Sequence, residues 1–310
     1  MVLKSAQSLT SLLMLTTCLW SHDNRATQMA EFYTSIFPDS RITTTWLYDT
    51  ANEHLPGSAK WDVMIVEFEL IGVPFATLNG WPYFHIDPSI SFFVSSSDRD
   101  EISKIWEALS VWGKSLMPLG SYPWSEWYGW IEDKYGVSWQ LFFSEKVMFQ
   151  RIAPCLSFTQ EKVGKTEEAI TYYTSVFPES GTNILSRYEV WEGGIEWLIK
   201  HAQFHLGDFM MSAMDAVGPH QFDFSCAVSF MINCQNQEDL EYYYSKLSAI
   251  PEAEMCGWIC DRYGVSWQLI PANFVEYMRS GDSEKKSKLM KSLMQMKRLS
   301  WKSIEDAYNS

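Results

Sequence analysis

The stretch GWIEDKYGVSWQLF (129–142) returns as GWICDRYGVSWQLI (257–270), 128 positions later, with eleven of fourteen residues identical. The match continues outward in both copies. AEFYTSIFPDS (30–40) returns as ITYYTSVFPES (170–180), FFVSSSDRDEISKIWEAL (92–109) as FMINCQNQEDLEYYYSKL (230–247), and VEFELIG (66–72) as AQFHLG (202–207). Cys18-Leu19 recurs as Cys155-Leu156, and Asn79 aligns with Asp215. The blocks keep their order and the offsets drift by only a few residues, so the chain is a tandem duplication with insertions in its loops. Two long copies are not the many short units of a solenoid.

Each copy reads as strand, helix, strands, and then the same again. In the first, 13–21 is apolar and strand-like, while Ala26, Met29, Ala30, Tyr33 and Phe37 recur at helical steps over 25–37. Pro38 closes that helix. Strands are predicted at about 41–48, 61–70 and 73–79, with a Gly72-Val73-Pro74 turn, and again at 90–95. Asp98 is the predicted N-cap of a helix running to about Val111, with Glu101 at the capping-box position. The opening stretch is itself a hairpin. Asp133 bonds back to the backbone in its turn and Gly136 takes a positive φ. Beyond the turn, Val137, Trp139 and Leu141 alternate with Ser138, Gln140 and Phe142, one set for packing and one for a cavity. Trp139 and Trp267 read as core.

A chain of 310 residues, 46% hydrophobic with 15 Trp, 15 Tyr and 18 Phe, has the material for two packed domains. Its net charge of −14 argues against a nucleic-acid partner, because neutralising phosphates needs clustered Lys and Arg. The basic exception is 283–310, with seven Lys/Arg against three Asp/Glu. It reads as a packing helix along Leu289, Met290, Leu293, Met296 and Leu299 with a solvated face. The six cysteines form no CxxC pair or zinc-type cluster and read as reduced thiols, and no apolar run approaches the ~20 residues of a membrane span. The expectation is a cytoplasmic protein with no membrane partner. LTSLLMLTTCLW (9–20) superficially resembles a leader, but the mid-chain repeat of Cys-Leu favours a buried strand. The expected organisation is an extension at 1–13, domains at 14–146 and 147–272, and a helical tail at 273–310.

CLW…FYTSIFPDS, the F-x-L-x-G strand, the E-x-x-x-x-W-x-x-L helix at 101–109, GW-x-x-D-x-YGVSWQ and the tail SLMQMKRLSWKSIEDAY (292–308) together resemble one known family. It is the PhnB-like branch of the vicinal oxygen chelate superfamily, the glyoxalase/bleomycin-resistance/dioxygenase fold. Its members have often carried the label 3-demethylubiquinone-9 3-methyltransferase. The resemblance covers about 14–145 and again 152–310. It implies an α+β fold of tandem glyoxalase-like domains, each of two βαβββ modules with curled mixed sheets around a cavity, plus the C-terminal helical tail. It also implies that the two domains pair within the chain as relatives pair between chains, with a homodimer as the alternative assembly.

In that superfamily a divalent metal is held by His and Glu from the first and last strands of each module. The ending D-x-x-G-x-x-x-E supplies the Glu; here Asp133 leads to Gln140 and Asp261 to Gln268. The first-strand positions fall near Thr17 and Pro154, and the remaining ones offer Asn79, Asp215, Ser91 and Ser229. A neutral Gln with Thr and Ser is a weak ligand set. The resemblance therefore leads to a metal-independent protein without a cofactor. Its small-molecule ligand would be held by Asn79, Ser138, Gln140, Asp215, Ser266 and Gln268 in aromatic-lined cavities. The alternative is a glyoxalase- or dioxygenase-like enzyme active only in the second copy, with a divalent metal on His201, His205 and Asp215 and His201 as the catalytic base. The plainer reading of His201 is a hydrogen-bonded strand histidine. A third reading is a structural partner protein whose cavities are closed by side chains. No GxGxxG, GxxxxGK[ST], GxSxG or HExxH occurs, and no glycine-rich loop suits S-adenosylmethionine, so the residues do not support a methyltransferase.

Overall fold

The computed structural model describes residues 15–48, 62–80, 82–146, 148–189, 195–280 and 282–310. The expected extension at 1–13 lies outside them. The first copy supplies β1 (Leu15–Ser21), α1 (Ala26–Ile36), β2 (Arg41–Leu47), β3 (Val63–Leu70) and β4 (Val73–Asn79). Its second module is β5 (Ile90–Ser96), α2 (Arg99–Ser110), β6 (Lys114–Tyr122), β7 (Ser125–Glu132) and β8 (Ser138–Phe143). The second copy repeats this with β9 (Ile152–Phe158), α3 (Thr166–Val176), β10 (Gly181–Arg187), β11 (Ile199–Leu206) and β12 (Phe209–Asp215). It ends in β13 (Val228–Cys234), α4 (Gln237–Leu247), β14 (Trp258–Cys260) and β15 (Ser266–Pro271). The tail is three helices, α5 (Ala272–Ser280), α6 (Ser283–Leu293) and α7 (Trp301–Asn309).

The sheets do not follow the copies. The seven-stranded sheet runs β14-β15-β13-β1-β4-β3-β2 and the eight-stranded sheet runs β10-β11-β12-β9-β5-β8-β7-β6. Each therefore joins one module from each half. The seams are antiparallel: β1 on β13, with Cys18 opposite Ser229, and β5 on β9, with Ser91 opposite Cys155.

Strand alternation sends one face of each sheet into a common apolar core with α1 to α4. Met29, Ala30, Tyr33 and Phe37 supply the α1 side, and Phe75 of one sheet meets Phe92 of the other at a ring-centroid distance of 5.4 Å. Asp98 does cap α2, accepting from Asp100 N at 2.8 Å. Glu101 is not used as a capping-box partner; it is drawn into an ion pair with Arg151 at the start of the second copy.

The duplicated hairpin turn is a clamp between the sheets. One Asp133 oxygen accepts from Tyr135 N (2.8 Å) and Val137 N (3.1 Å), while Gly136 sits at φ +86°. The other accepts from Tyr33 Oη on α1 (2.9 Å) and Trp139 Nε1 on β8 (2.8 Å). Asp261 repeats the whole set with Tyr263 N, Val265 N, Tyr173 Oη and Trp267 Nε1. Since α1 packs on β3 of one sheet and β8 lies in the other, each buried carboxyl ties two sheets together. Burial pushes the Asp133 carboxyl up to about 6 against the four hydrogen bonds that favour its charge, and raises Asp261 in the same way.

Candidate functional site

The faces turned away from the helices carry a row of small polar side chains. In the eight-stranded sheet the register aligns Gln203, Ser212, Cys155, Ser91 and Ser138 across five strands. The same row in the seven-stranded sheet is Glu67, Ala76, Cys18, Ser229 and Ser266. A buried amide stands over each row. Gln140 Nε2 donates to Ser91 Oγ (2.8 Å) and its Oε1 accepts from Tyr128 Oη (2.6 Å). Gln268 Nε2 donates to Ser229 Oγ (2.9 Å). Ser138 Oγ accepts from Trp130 Nε1 (2.6 Å), and Ser266 Oγ lies 3.4 Å from Cys226 Sγ.

Above these rows the two faces diverge. On the eight-stranded sheet a cavity of about 610 Å³ opens, walled by Phe93, Tyr128, Gln140, Phe142, His201, Gln203 and Met214, with Trp124, Glu126, Glu145, Lys146 and Lys200 also lining it. On the seven-stranded sheet the tail takes the corresponding space. Leu289, Met290 and Leu293 of α6, Met278 of α5 and Ile304 of α7 form an apolar cluster with Met64, Trp46, Ile65 and Leu78. The tail is held there by Cys256 N to Met296 O (2.8 Å), by Gly257 N to Lys297 O (3.3 Å), and by Arg298 against the buried Glu254. It stands where the first copy has a longer hairpin: Leu109 to Gly129 spans 20 positions, Leu247 to Gly257 only 10. In the first copy those extra residues carry Trp124 to the wall of the open cavity.

Single replacements account for the rest of the difference. Trp20 fills the covered face, edge-on to Phe84 and Trp258, and its counterpart in the open cavity's sheet is Ser157. Ile65 and Leu78 correspond to His201 and Met214. Lys200 reaches the cavity beside His201 through a β-bulge: β10 pairs Ser186 with His201 but Arg187 with Ile199, leaving Lys200 as the extra residue. The His201 ring meets Phe93 edge-on at 5.2 Å, and burial lowers its pKa to about 4, so it is neutral at neutral pH.

A family model described as 3-demethylubiquinone-9 3-methyltransferase matches residues 14–142 and again 150–270. The chain belongs to this family. A Bacillus cereus structure described as a 3-demethylubiquinone-9 3-methyltransferase, PhnB protein, is 37% identical over 42% of this chain and 98% of that one, with a TM-score of 0.38. The family model thus matches once in each copy. Glyoxalase I from Zea mays aligns over 86% of this chain and 95% of its own at 13% identity and a TM-score of 0.50, which shows a shared fold. A search of curated proteins gives no match. Among the described residues no helix is long and apolar enough to cross a membrane.

For this PhnB-like chain the sequence-derived site residues separate into three places. Ser138 and Gln140 stand on the open cavity's face, Ser266 and Gln268 on the tail-covered sheet. Asn79 and Asp215 point the other way. Asn79 Oδ1 accepts from Ala26 N (2.9 Å), and Asp215 accepts from Gly164 N, Thr166 Oγ1 and Ile199 N, all at 2.7 Å. Both tie a helix start to the end of a strand. His205 shares a strand with His201 but pairs with Asn183 on β10 at 2.8 Å. His201, His205 and Asp215 do not converge, and among the described residues no three His, Cys, Asp or Glu side chains gather as a metal group.

The register also corrects the first-strand positions by one residue. Thr17 and Pro154 face the helices, and Cys18 and Cys155 face the cavities, because a single step along a strand reverses the side. The polar groups at the middle of the sheet face beneath the open cavity are then Ser91, Gln140, Cys155 and Ser212. A neutral amide, two hydroxyls and a thiol that burial holds far above its ordinary range do not fit a divalent cation.

Sequence reasoning missed the residues that shape this cavity. Phe93 and Cys155 were open to it through strand alternation. Tyr128 and Trp124 lie on a hairpin longer than the repeat indicates, and Lys200 depends on a bulge that no residue type marks.

Proposed function

We propose that this PhnB-like protein binds a small organic molecule in the cavity of the eight-stranded sheet, without a metal, one ligand per chain. The observation that carries this reading is the inequality of the two equivalent faces. Both keep the buried Gln–Ser pair, but a cavity of about 610 Å³ opens on one, while among the described residues the other receives the tail's apolar cluster and Trp20. The open cavity combines aromatic walls with a few convergent polar groups, the usual composition of a small-molecule site. A His held neutral near pKa 4 is a weak proton acceptor at neutral pH, which favours binding over general-base catalysis. The methyltransferase activity in the family's name has no glycine-rich loop behind it in this sequence.

A thermal-shift screen of the metal-free protein tests this. A ligand at 100 times its Kd adds about 2.7 kcal/mol of stability. Hits are expected to persist in chelator and to weaken in Gln140→Ala. Hits that need an added divalent ion, or that ignore Gln140→Ala, would contradict the proposal.

A further inference from the structure

The inner wall of the open cavity is uncharged apart from Lys200, which is half-buried beside His201 and already has a partner. Gln140 and Tyr128 are 2% and 9% exposed, His201 is neutral, and Phe93, Phe142 and Met214 complete the inner wall. The acidic residues and Lys146 stand exposed at the mouth, where Glu126 is already engaged by Arg99. Beneath the wall, Ser157 and Ser212 are each 1% exposed, and their hydroxyls have no hydrogen-bond partner among the described residues. Strand alternation turns both toward the cavity face, beside Met214 and Cys155. The covered face has Trp20 and Ala76 in their places, so both hydroxyls are particular to the open cavity.

Gln140 has spent one N–H on Ser91 and one lone pair on Tyr128, which leaves one donor and one acceptor on the same amide. A neutral imidazole likewise has one of each. Such a lining matches a ligand edge that both donates and accepts. A cation placed here would lose its hydration with no opposite charge on the inner wall, and an anion would meet only Lys200, which is already engaged. The rings of Phe93, Tyr128 and Phe142 offer apolar surfaces to a flat body.

We propose that the cavity takes an uncharged planar ring carrying an amide-like edge, with that edge on Gln140 and His201 and the Ser157 and Ser212 hydroxyls beneath it. This rests on the reading that the cavity binds a small molecule.

Benzamide, benzoate and benzylamine share a ring and differ in charge, so titrating each by intrinsic fluorescence or calorimetry at millimolar concentration separates the two claims. Benzamide is expected to bind at least about tenfold more tightly than either ion. Ser157→Trp, which restores the residue of the covered face, is expected to weaken it at least about tenfold. His201→Ile serves the same purpose should the larger replacement fail to fold. Benzoate or benzylamine binding as tightly as benzamide, and weakened by either variant, would overturn the ligand class but keep the cavity as the site. Binding that neither variant alters, or no binding of any of the three, would overturn both.

Discussion

Met64 and Lys200 are the same residue of the two copies. Each is the extra residue of a bulge, skipped between Ile65 and Val63 on β3 and between His201 and Ile199 on β11. Met64 is 8% exposed within the apolar cluster of the tail, whereas Lys200 lines the open cavity. One backbone feature, duplicated with the chain, thus presents an apolar anchor on one sheet and a cation on the other. The copies have diverged in the residues above a shared scaffold.

The scaffold's clamp is expected to dominate stability. Asp133→Ala strips partners from Tyr33 Oη, Trp139 Nε1 and two backbone N–H groups, all at a carboxyl only 4% exposed. Orphaned buried donors of this kind should lower unfolding stability by roughly 2–4 kcal/mol. Denaturant unfolding reads it, and a loss below about 0.5 kcal/mol would mean the clamp carries little.

The same carboxyl gives a pH signature. Its folded pKa, near 6, lies above the ordinary value of 3.8, so the folded state holds the proton more tightly. Its contribution is complete below about pH 4 and is lost as pH rises through 6. The stability of wild type relative to Asp133→Asn should therefore fall by roughly 3 kcal/mol from well below pH 4 to well above pH 6. A difference independent of pH would show that the hydrogen bonds offset burial.

His201 moves in the opposite direction, lowered to about 4 by burial alone. In a histidine NMR titration its ring signals should stay fixed from pH 8 to 5, while an unperturbed imidazole moves near 6.5. A midpoint above 6 would put a second cation beside Lys200 and remove the argument for an uncharged ligand.

Because both sheets are sewn from both halves, the linker around 144–150 should be dispensable for assembly. Fragments 1–146 and 147–310 expressed together are expected to copurify one to one. Alone, 1–146 would expose β1 and β5 and 147–310 would expose β13 and β9 along unpaired seams, and each should self-associate. Independent, monomeric, folded fragments would contradict the shared sheets.

The tail's seat can be tested by one methyl-rich side chain. Leu289 is fully buried in the apolar cluster, and Leu289→Ala should cost about 2–5 kcal/mol of tail or global stability. Hydrogen exchange across 272–310 distinguishes local release from global loss. Unchanged protection would mean the tail rests on its backbone bonds instead.

Much of the fold was legible because duplication doubles every signal. The helix at 25–37, the strands near 41–48, 61–70 and 73–79 and the Asp133 turn all lie within a residue or two of their predicted places. Alternation along Val137 to Phe142 gave the right side for Ser138 and Gln140. The superfamily's spacing put the first-strand positions near Thr17 and Pro154, one residue from Cys18 and Cys155, and only strand pairing shows which residue of each pair turns to the cavity face. Asn79 and Asp215 sit at strand ends, where a polar residue serves a ligand or a helix start equally well. That the halves exchange modules, and that the tail covers one face, depends on contacts between residues more than a hundred positions apart. No local periodicity records them.

The unequal faces can be read directly by placing one cysteine at each of the two bulges, Met64→Cys and Lys200→Cys, and following maleimide modification of the native protein by peptide-resolved mass spectrometry. Cysteine at 200 is expected to react at least about tenfold faster than cysteine at 64, which must wait for the tail to open. Equal rates at the two positions would show that the tail leaves its cavity as accessible as the other, and would contradict a single open site per chain.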